Sequence, residues 1–386
     1  MLLVDADAHY YEPPDCFEQY VDPSRRHLAI TRDRGDAGDR VLIGGRPTQG
    51  TAVHFLDDLA PRPGGLKEMF RSGGDADRAL VPMEMAYNDP AARVAMLDEL
   101  GFAAQLLYPT AACLVWSELG DDRDLIVANF EAFNRWLHET WAFDYKGRLF
   151  SAPLLSLVDV DFAIAQLDWA LAAGARAVCI PPMPPHGRHP ADPVFDPVWA
   201  RLAEAGTLVV LHVGESGYVE RTSALWGEDA TAPPFMRSTF QWTRCYNDRP
   251  IMDFVSAMIF GNLFERFPGL RVASIENGSM WVPYLLRLMD KKLNIGALGP
   301  WIGGRVREKP SVTFRKHFSV APFPEEDWPE LVDLLGAENV LFGSDFPHPE
   351  GLTSPSEWEP LLPGLDHVVV EQVMGLNTAR LIGIDT

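Results

Sequence analysis

Positive charge is what this 386-residue chain most lacks: 33 lysines and arginines face 54 aspartates and glutamates, a formal charge of −21. Nucleic acid and anionic membrane surfaces are bound by basic faces that displace counterions, so this balance excludes both as expected partners. An anionic substrate would have to be drawn in by a local metal ion or arginine. Cysteine is scarce as well. Cys16, Cys113, Cys179 and Cys245 are far apart and form no Cys-x-x-Cys pair. Buried, reduced thiols in a cytoplasmic protein are the expectation, ahead of a structural zinc site or a disulfide framework. No apolar run reaches the roughly 20 residues that span a membrane. The opening MLLVDADAHYYEPP has no basic stretch, and Asp5 cuts its apolar run short, unlike a secretory signal. No GxGxxG or GxxxxGK[ST] loop follows an apolar run, so nucleotide binding finds no support.

What the chain does have is a globular composition, 47% hydrophobic and 23% charged, with enough length to bury a large core. Short β-branched apolar runs predict strands at 2–9, 103–110, 149–157, 175–182, 207–214, 271–277, 317–323 and 340–347. Helical periodicity lies near 90–100, 120–142, 161–173, 194–205, 250–267, 278–293, 325–335 and 369–383. Eight strands alternating with eight helices predict an α/β fold, a (β/α)8 TIM barrel occupying residues 1–386 as one domain. A doubly wound open sheet is the alternative. Two connections are too long for simple barrel loops: about 14–90 after strand 1, with a hairpin at VLIGGRPTQG, and about 215–249 after strand 5. The second carries Trp226, Phe235, Phe240, Trp242 and Tyr246. Insertions after barrel strands lie on the catalytic face, so both are expected to cap a pocket, or else to make oligomer contacts.

Polar residues sit where the apolar runs end. In strand 1, Asp5, Asp7 and His9 alternate with Val4, Ala6 and Ala8, which places the three ionisable groups on one face. Three such groups inside a barrel are costly unless paired or bound to metal. Strand 5 ends at His212 and strand 8 at Asp345. Each alone reads as readily as a satisfied core histidine or a turn aspartate. Together, Asp7, His9, His212 and Asp345 offer two imidazoles and two carboxylates, suited to one divalent ion, Zn²⁺ ahead of Mn²⁺. His348 and Glu350 follow Asp345, and Arg237, Arg244, Trp226 and Trp242 lie in the second insertion. They are candidates for substrate contact or for ordinary loop surface; His348, Arg244 and Trp242 are singled out. Ser344 has no base predicted beside it, which argues against a Ser–His–Asp hydrolase.

The segments DADAHYYEP, LHVGESG, ENGSMWVPYL and VLFGSDFPHPEG resemble the amidohydrolase-related family of metal-dependent enzymes, from about residue 3 to 383. Its members include aminocarboxymuconate semialdehyde, resorcylate and dihydroxybenzoate decarboxylases, alongside hydrolases. The resemblance implies a metal held by Asp7, His9, His212 and Asp345, with Asp345 also handling the proton, and a homodimer or larger assembly. This chain departs from the family in two places. Asp7-Ala8-His9 replaces the usual His-x-His or Glu-x-His, and Glu276 of SIENGS stands where a strand-6 histidine is customary. Glu276 is therefore a candidate general acid or base, or a residue that steadies a ligand. None of the six lysines ends strand 4, so the carbamylated lysine of binuclear relatives is missing and one metal is expected. Three functions follow in order: non-oxidative decarboxylation of a small aromatic or unsaturated acid; hydrolysis of an amide, lactone, ester or C–C bond; and a barrel that only binds.

Overall fold

In the computed structural model, which describes residues 1–35, 38–48, 55–71, 80–233, 236–246 and 248–384, the chain winds into a parallel barrel. The strands are β1 (Val4–Tyr10), β2 (Ala104–Pro109), β3 (Leu149–Ser151), β4 (Ala177–Ile180), β5 (Leu208–His212), β6 (Arg271–Ile275) and β7 (Phe318–Val320). β1 pairs with β2 and β2 with β3; β4, β5, β6 and β7 pair in sequence, every ladder parallel. A parallel bridge from Leu154 to Cys179 joins the two sheets.

The eighth predicted strand forms no regular ladder, yet it closes the ring. Val320 bridges Val340 and Ala8 bridges Phe346, both in parallel. Backbone bonds run from Ala6 N to Phe342 O, from Asp345 N to Asp7 O and from His9 N to Phe346 O, each 2.8 Å. Two local features break the ladder's regularity. Asp345 sits in left-handed backbone at φ 54, and Gly343 lies so close to β1 that a Cβ on it would meet Asp7 Cβ at 2.6 Å. β3 is also shorter than its apolar run: past Ser151 the chain bonds Leu107 through Ala152 N and then passes to Cys179 of β4, through Pro153 O and Leu155 N.

Around the strands lie α1 (Pro90–Leu100), α2 (Arg123–Thr140), α3 (Val160–Ala172), α4 (Asp196–Ala205), α5 (Asp248–Phe260), α6 (Trp281–Lys292), α7 (Trp328–Leu335) and α8 (Asn377–Ile382). Asp89, Asp122, Asp159 and Asp327 accept backbone N–H bonds at the starts of α1, α2, α3 and α7 and so fix where each helix begins. The last predicted helix is interrupted by a wide π turn at Gln372–Leu376. Gly375 presses there against the Leu2 carbonyl, where a Cβ would come within 2.0 Å. The whole of β5 is buried, as befits a strand packed on both faces. All four cysteines are buried and free. No helix among the described residues is long and apolar enough to cross a membrane.

The first insertion holds an antiparallel sheet of Ile30–Gly35, Gly38–Ile43 and Arg46–Pro47, with Gly44 and Gly45 at φ 56 and 74 forming the expected hairpin turn. Gln49 and Gly50 at the end of that motif lie outside the described residues. The insertion reaches the end of the eighth segment, where Gly64 N donates to His348 O and Leu66 N to Pro349 O. The second insertion contains short helices at Tyr218–Thr222 and Thr239–Cys245. Phe235, expected among its aromatics, lies outside the described residues.

Gly343→Ala should cost about 1–3 kcal/mol of stability, because neither backbone can retreat; an unchanged urea midpoint would show that the close approach is relaxed without strain. A second expectation concerns pH. Burial lowers the pKa of His317, whose Nδ1 faces the Leu270 carbonyl at 2.9 Å and whose ring stacks on Phe264. A depressed histidine contributes stability above its unfolded pKa, near 6.5, that is lost as pH falls below it. In metal-free protein, the wild-type urea midpoint should therefore fall more steeply than that of His317→Gln between pH 7.5 and 5. Parallel curves would remove His317 from the acid response.

Candidate metal centre

The ends of β1, β5, β6 and the eighth segment bring their polar side chains to one buried point. His9 Nε2 lies 3.5 Å from Asp7 Oδ1, 3.3 Å from Glu276 Oε2 and 3.4 Å from Asp345 Oδ1. His212 Nε2 lies 3.7 Å from Asp7 Oδ1 and 3.4 Å from Glu276 Oε2. A tetrahedral ion with bonds of about 2.0–2.1 Å spaces its ligands about 3.4 Å apart, so these separations match a shared cation.

The tautomers agree with that reading. His9 Nδ1 faces the Pro109 carbonyl at 3.2 Å and His212 Nδ1 the Val213 carbonyl at 2.9 Å. Each Nδ1–H is thereby occupied, and each Nε2 lone pair is left pointing inward. Asp7 Oδ1, His9 Nε2, His212 Nε2 and Asp345 Oδ1 are all buried without a hydrogen-bond partner. So many orphaned polar atoms at one point are costly without a cation among them. Among the described residues, two overlapping four-residue groups have metal-binding geometry: Asp7, His9, His212 and Glu276; and His9, Glu276, Asp345 and His348.

Without an ion at this point, the surrounding carboxylates draw a proton onto His9 in its place. Burial opposes a charged His9, but Asp7 and Glu276 outweigh it and raise its pKa to about 10. Burial likewise works against an ionised Asp7, yet His212 and His9 hold its carboxyl well below the usual range. Burial, reinforced by Glu276, Glu350 and Asp7, pushes the Asp345 carboxyl well upward, toward its protonated form. Burial and the neighbouring His9 keep His348 neutral. Glu276 and Asp345 are two of the six non-glycine residues with positive φ among the described residues, both at 54. Strained backbone of this kind concentrates at functional sites.

Beneath the donors lies a network that sequence patterning leaves unseen. The Asp5 carboxylate accepts from Asp7 N at 3.1 Å, Ser344 N at 3.0 Å, Ser344 Oγ at 2.6 Å and Gln105 Nε2 at 2.9 Å. Gln105 Oε1 accepts in turn from Arg93, a fully buried guanidinium that also donates to the carbonyls of His9 and Ala86. The Asp5 charge is thus balanced through one amide, and the backbones carrying Asp7, His9 and Asp345 are tied together.

The other sequence candidates fare differently. His348 stacks on His9 with centroids 3.9 Å apart and sets Nδ1 2.8 Å from Asp345 Oδ1. Glu350 and Arg244 are exposed, and Trp242 is 40% exposed. Arg237 is buried instead, against the surface-arginine alternative. Its guanidinium makes a two-pronged bond to Glu215 at 2.8 and 2.9 Å beneath the Trp242 and Tyr246 rings. Glu215 was legible only as the residue three past His212. Gln105 and Arg93 carry no sequence signal, since a lone polar residue in a strand or helix is commonplace.

A parallel barrel that buries imidazoles and carboxylates at the C-terminal ends of its strands defines a metal-dependent barrel enzyme. The sequence matches the amidohydrolase family over residues 4–384, and the chain belongs to that family. It is similar to an amidohydrolase of known structure from Mycobacterium avium subsp. paratuberculosis, at 32% identity over 100% of this chain and 98% of that one, TM-score 0.89. A dihydroxybenzoic acid decarboxylase from Polaromonas, solved with bound manganese and 2-nitroresorcinol, shares the fold at 13% identity and TM-score 0.63, over 100% and 98% of the two chains. The 2-amino-3-carboxymuconate-6-semialdehyde decarboxylase of Dictyostelium discoideum is 20% identical over 215 residues, which span 52% of this chain and 51% of that protein.

Asp5→Asn should weaken metal binding about 10–100-fold, as loss of support behind ligands typically does. Competition with a chelating dye measures it. A variant that melts earlier but binds metal with unchanged affinity would reduce Asp5 to barrel closure alone.

Proposed function

We propose that this chain is a divalent-metal enzyme that decarboxylates a small aromatic or unsaturated carboxylic acid without oxidation. One ion would be held by Asp7, His9, His212 and the strand-8 Asp345, with Glu276 at the same point. Zn²⁺ suits the imidazoles, but three carboxylates against two imidazoles make the set oxygen-rich, and Mn²⁺ suits it at least as well. When bound, the ion would supply charge that polarises a chelated carboxylate and a neighbouring oxygen.

The observation that carries the reading is Asp345: buried, with its Oδ1 unpartnered, and pushed by its surroundings toward the protonated form. In this reading Asp345 gives a proton to the carbon that loses its carboxyl group. One C–H bond forms, one C–C bond breaks and carbon dioxide leaves; solvent then returns the proton to Asp345. His9 and His212, fixed through their Nδ1 atoms, hold the donor set in place. The two insertions would cap the substrate as parts of the same domain. Leu225, Trp226 and Met236, at 80, 67 and 76% exposed, give a homo-oligomer its contact surface. The decarboxylases among the similar proteins support the substrate class. Hydrolysis is the second reading, favoured by the Glu276 carboxylate beside His9 and His212, which would take a proton from water.

The test is a panel of hydroxylated aromatic acids and unsaturated dicarboxylates, with carbon dioxide release followed directly. Asp345→Asn should lower turnover at least 100-fold. An Asp345→Asn enzyme of undiminished rate would sink the proton role. Activity only on esters, lactones or amides, without carbon dioxide, would replace decarboxylation by hydrolysis.

A further inference from the structure

A cavity stands apart from the donor set, where the segments after β2, β3 and β4 meet α2 and α5. Its apolar walls include Ile126 and Phe130 of α2, Leu157, Ile180 of β4 and Phe254 of α5. It encloses about 470 Å³ with its mouth counted, within the range of roughly 300–1,000 Å³ typical of small-molecule pockets. None of the residues at the metal centre lines it. Its shape is a narrow slot, which admits an unbranched chain or a flat ring edge-on and excludes bulky groups. Met183, on the same wall, is unbranched and can yield to a guest.

One polar group of the slot has nothing to bond. Ser156 Oγ is taken up by Val158 N at 3.3 Å, whereas Trp116 Nε1 is buried without a hydrogen-bond partner, in a residue 2% exposed. The ring's orientation follows from Gly214, two residues past His212: a Cβ there would lie 3.3 Å from Trp116 Cε3. Cε3 and Nε1 are on opposite edges of an indole, so the N–H is turned from the metal centre toward the slot. An indole N–H only donates, so what it lacks is an acceptor. A buried donor left bare is costly. The segment leading to Trp116 is otherwise well held, since Glu12 accepts from the backbone N–H groups of Ala111 and Ala112 at 3.0 Å each.

We propose that the slot is a second ligand site, for a small neutral molecule with an unbranched apolar chain and one hydrogen-bond acceptor, such as a ketone or an ester. The acceptor meets Trp116 Nε1, and the chain lies along Phe130, Ile180 and Phe254. Charge selects neutrality. Among the described residues, Asp121 and His186 are the ionisable groups that line the slot, both exposed at its rim, and no lysine or arginine joins them. A carboxylate would pass Asp121 and lose its water with no buried cation to receive it. The acid proposed above as substrate is the opposite kind of molecule, so the slot is not its pocket. A guest nonetheless bears on the end of β5, through the indole that packs against Gly214.

The experiment is a titration of ¹⁵N-tryptophan-labelled protein with 2-octanone, and separately with octanoate, followed through the indole N–H resonances of its 11 tryptophans. The signal absent from Trp116→Phe is that of Trp116. A saturable downfield shift of that signal is expected with 2-octanone, and binding at least about tenfold weaker with octanoate. If the variant fails to fold, Overhauser contacts from the ketone's methylenes to the shifted indole and to the Ile180 methyl groups place the ligand in the wild type. A Trp116 signal unmoved at the solubility limit of 2-octanone overturns the site, as do shifts confined to other indoles. Equal affinity for octanoate overturns the selection of neutral ligands.

Discussion

The Asp5 carboxylate is the interaction on which the rest of the site depends. A barrel must join its last strand to its first, and here the last segment is too irregular to do so by ladder alone. Asp5 supplies the missing bonds by accepting from the backbone of Asp7 and from both the backbone and hydroxyl of Ser344. Those bonds fall one residue away from Asp345, whose left-handed backbone would otherwise be free to relax. Barrel closure and placement of the donor set are thus one constraint. Burying that carboxylate raises its pKa to about 6, a cost that the bonds from Ser344 and from Asp7 N only partly offset.

Much of this was legible in the sequence, for reasons that differ from element to element. The alternation of Asp5, Asp7 and His9 was readable because a strand has period two, and His212 because it ends an unbroken apolar run. Seven strands lie within or close to their apolar runs. The eighth did not form a ladder, since Gly343 and Asp345 each serve a local need that conflicts with regular pairing. The depth of Asp5 below Asp7 was invisible, because alternation gives the face and not what waits there. The pairing of Arg237 with Glu215 was hidden for another reason: it depends on how an insertion folds back, which no periodicity encodes. Arg244, seven residues further on, looked equivalent and is exposed.

Glu276 changes the electrostatic character of the site more than any other departure from the family pattern. A histidine there could be neutral or positive; a glutamate adds negative charge to a point already holding Asp7 and Asp345. The protein meets that excess without a free buried cation of its own among the described residues, because Arg93 serves Asp5 and Arg237 serves Glu215. Cation binding is therefore not an ornament on a finished barrel. It is what the arrangement of orphaned oxygen and nitrogen atoms requires.

The same excess bears on how the chain would treat the acidic substrate proposed for it. With an overall charge of −21, long-range attraction works against an incoming carboxylate, and only short-range forces can hold it. Screening by salt weakens the repulsion outside, while attraction to buried metal is hardly screened. An acidic substrate of the proposed metal enzyme would therefore cross an unfavourable field to reach a small, strongly favourable volume. Such a site selects ligands that chelate, since a carboxylate alone gains less than one with an adjacent oxygen. On the proposed function, selectivity for acids bearing a neighbouring hydroxyl or carbonyl would follow from charge placement, before any contact with the insertions is counted.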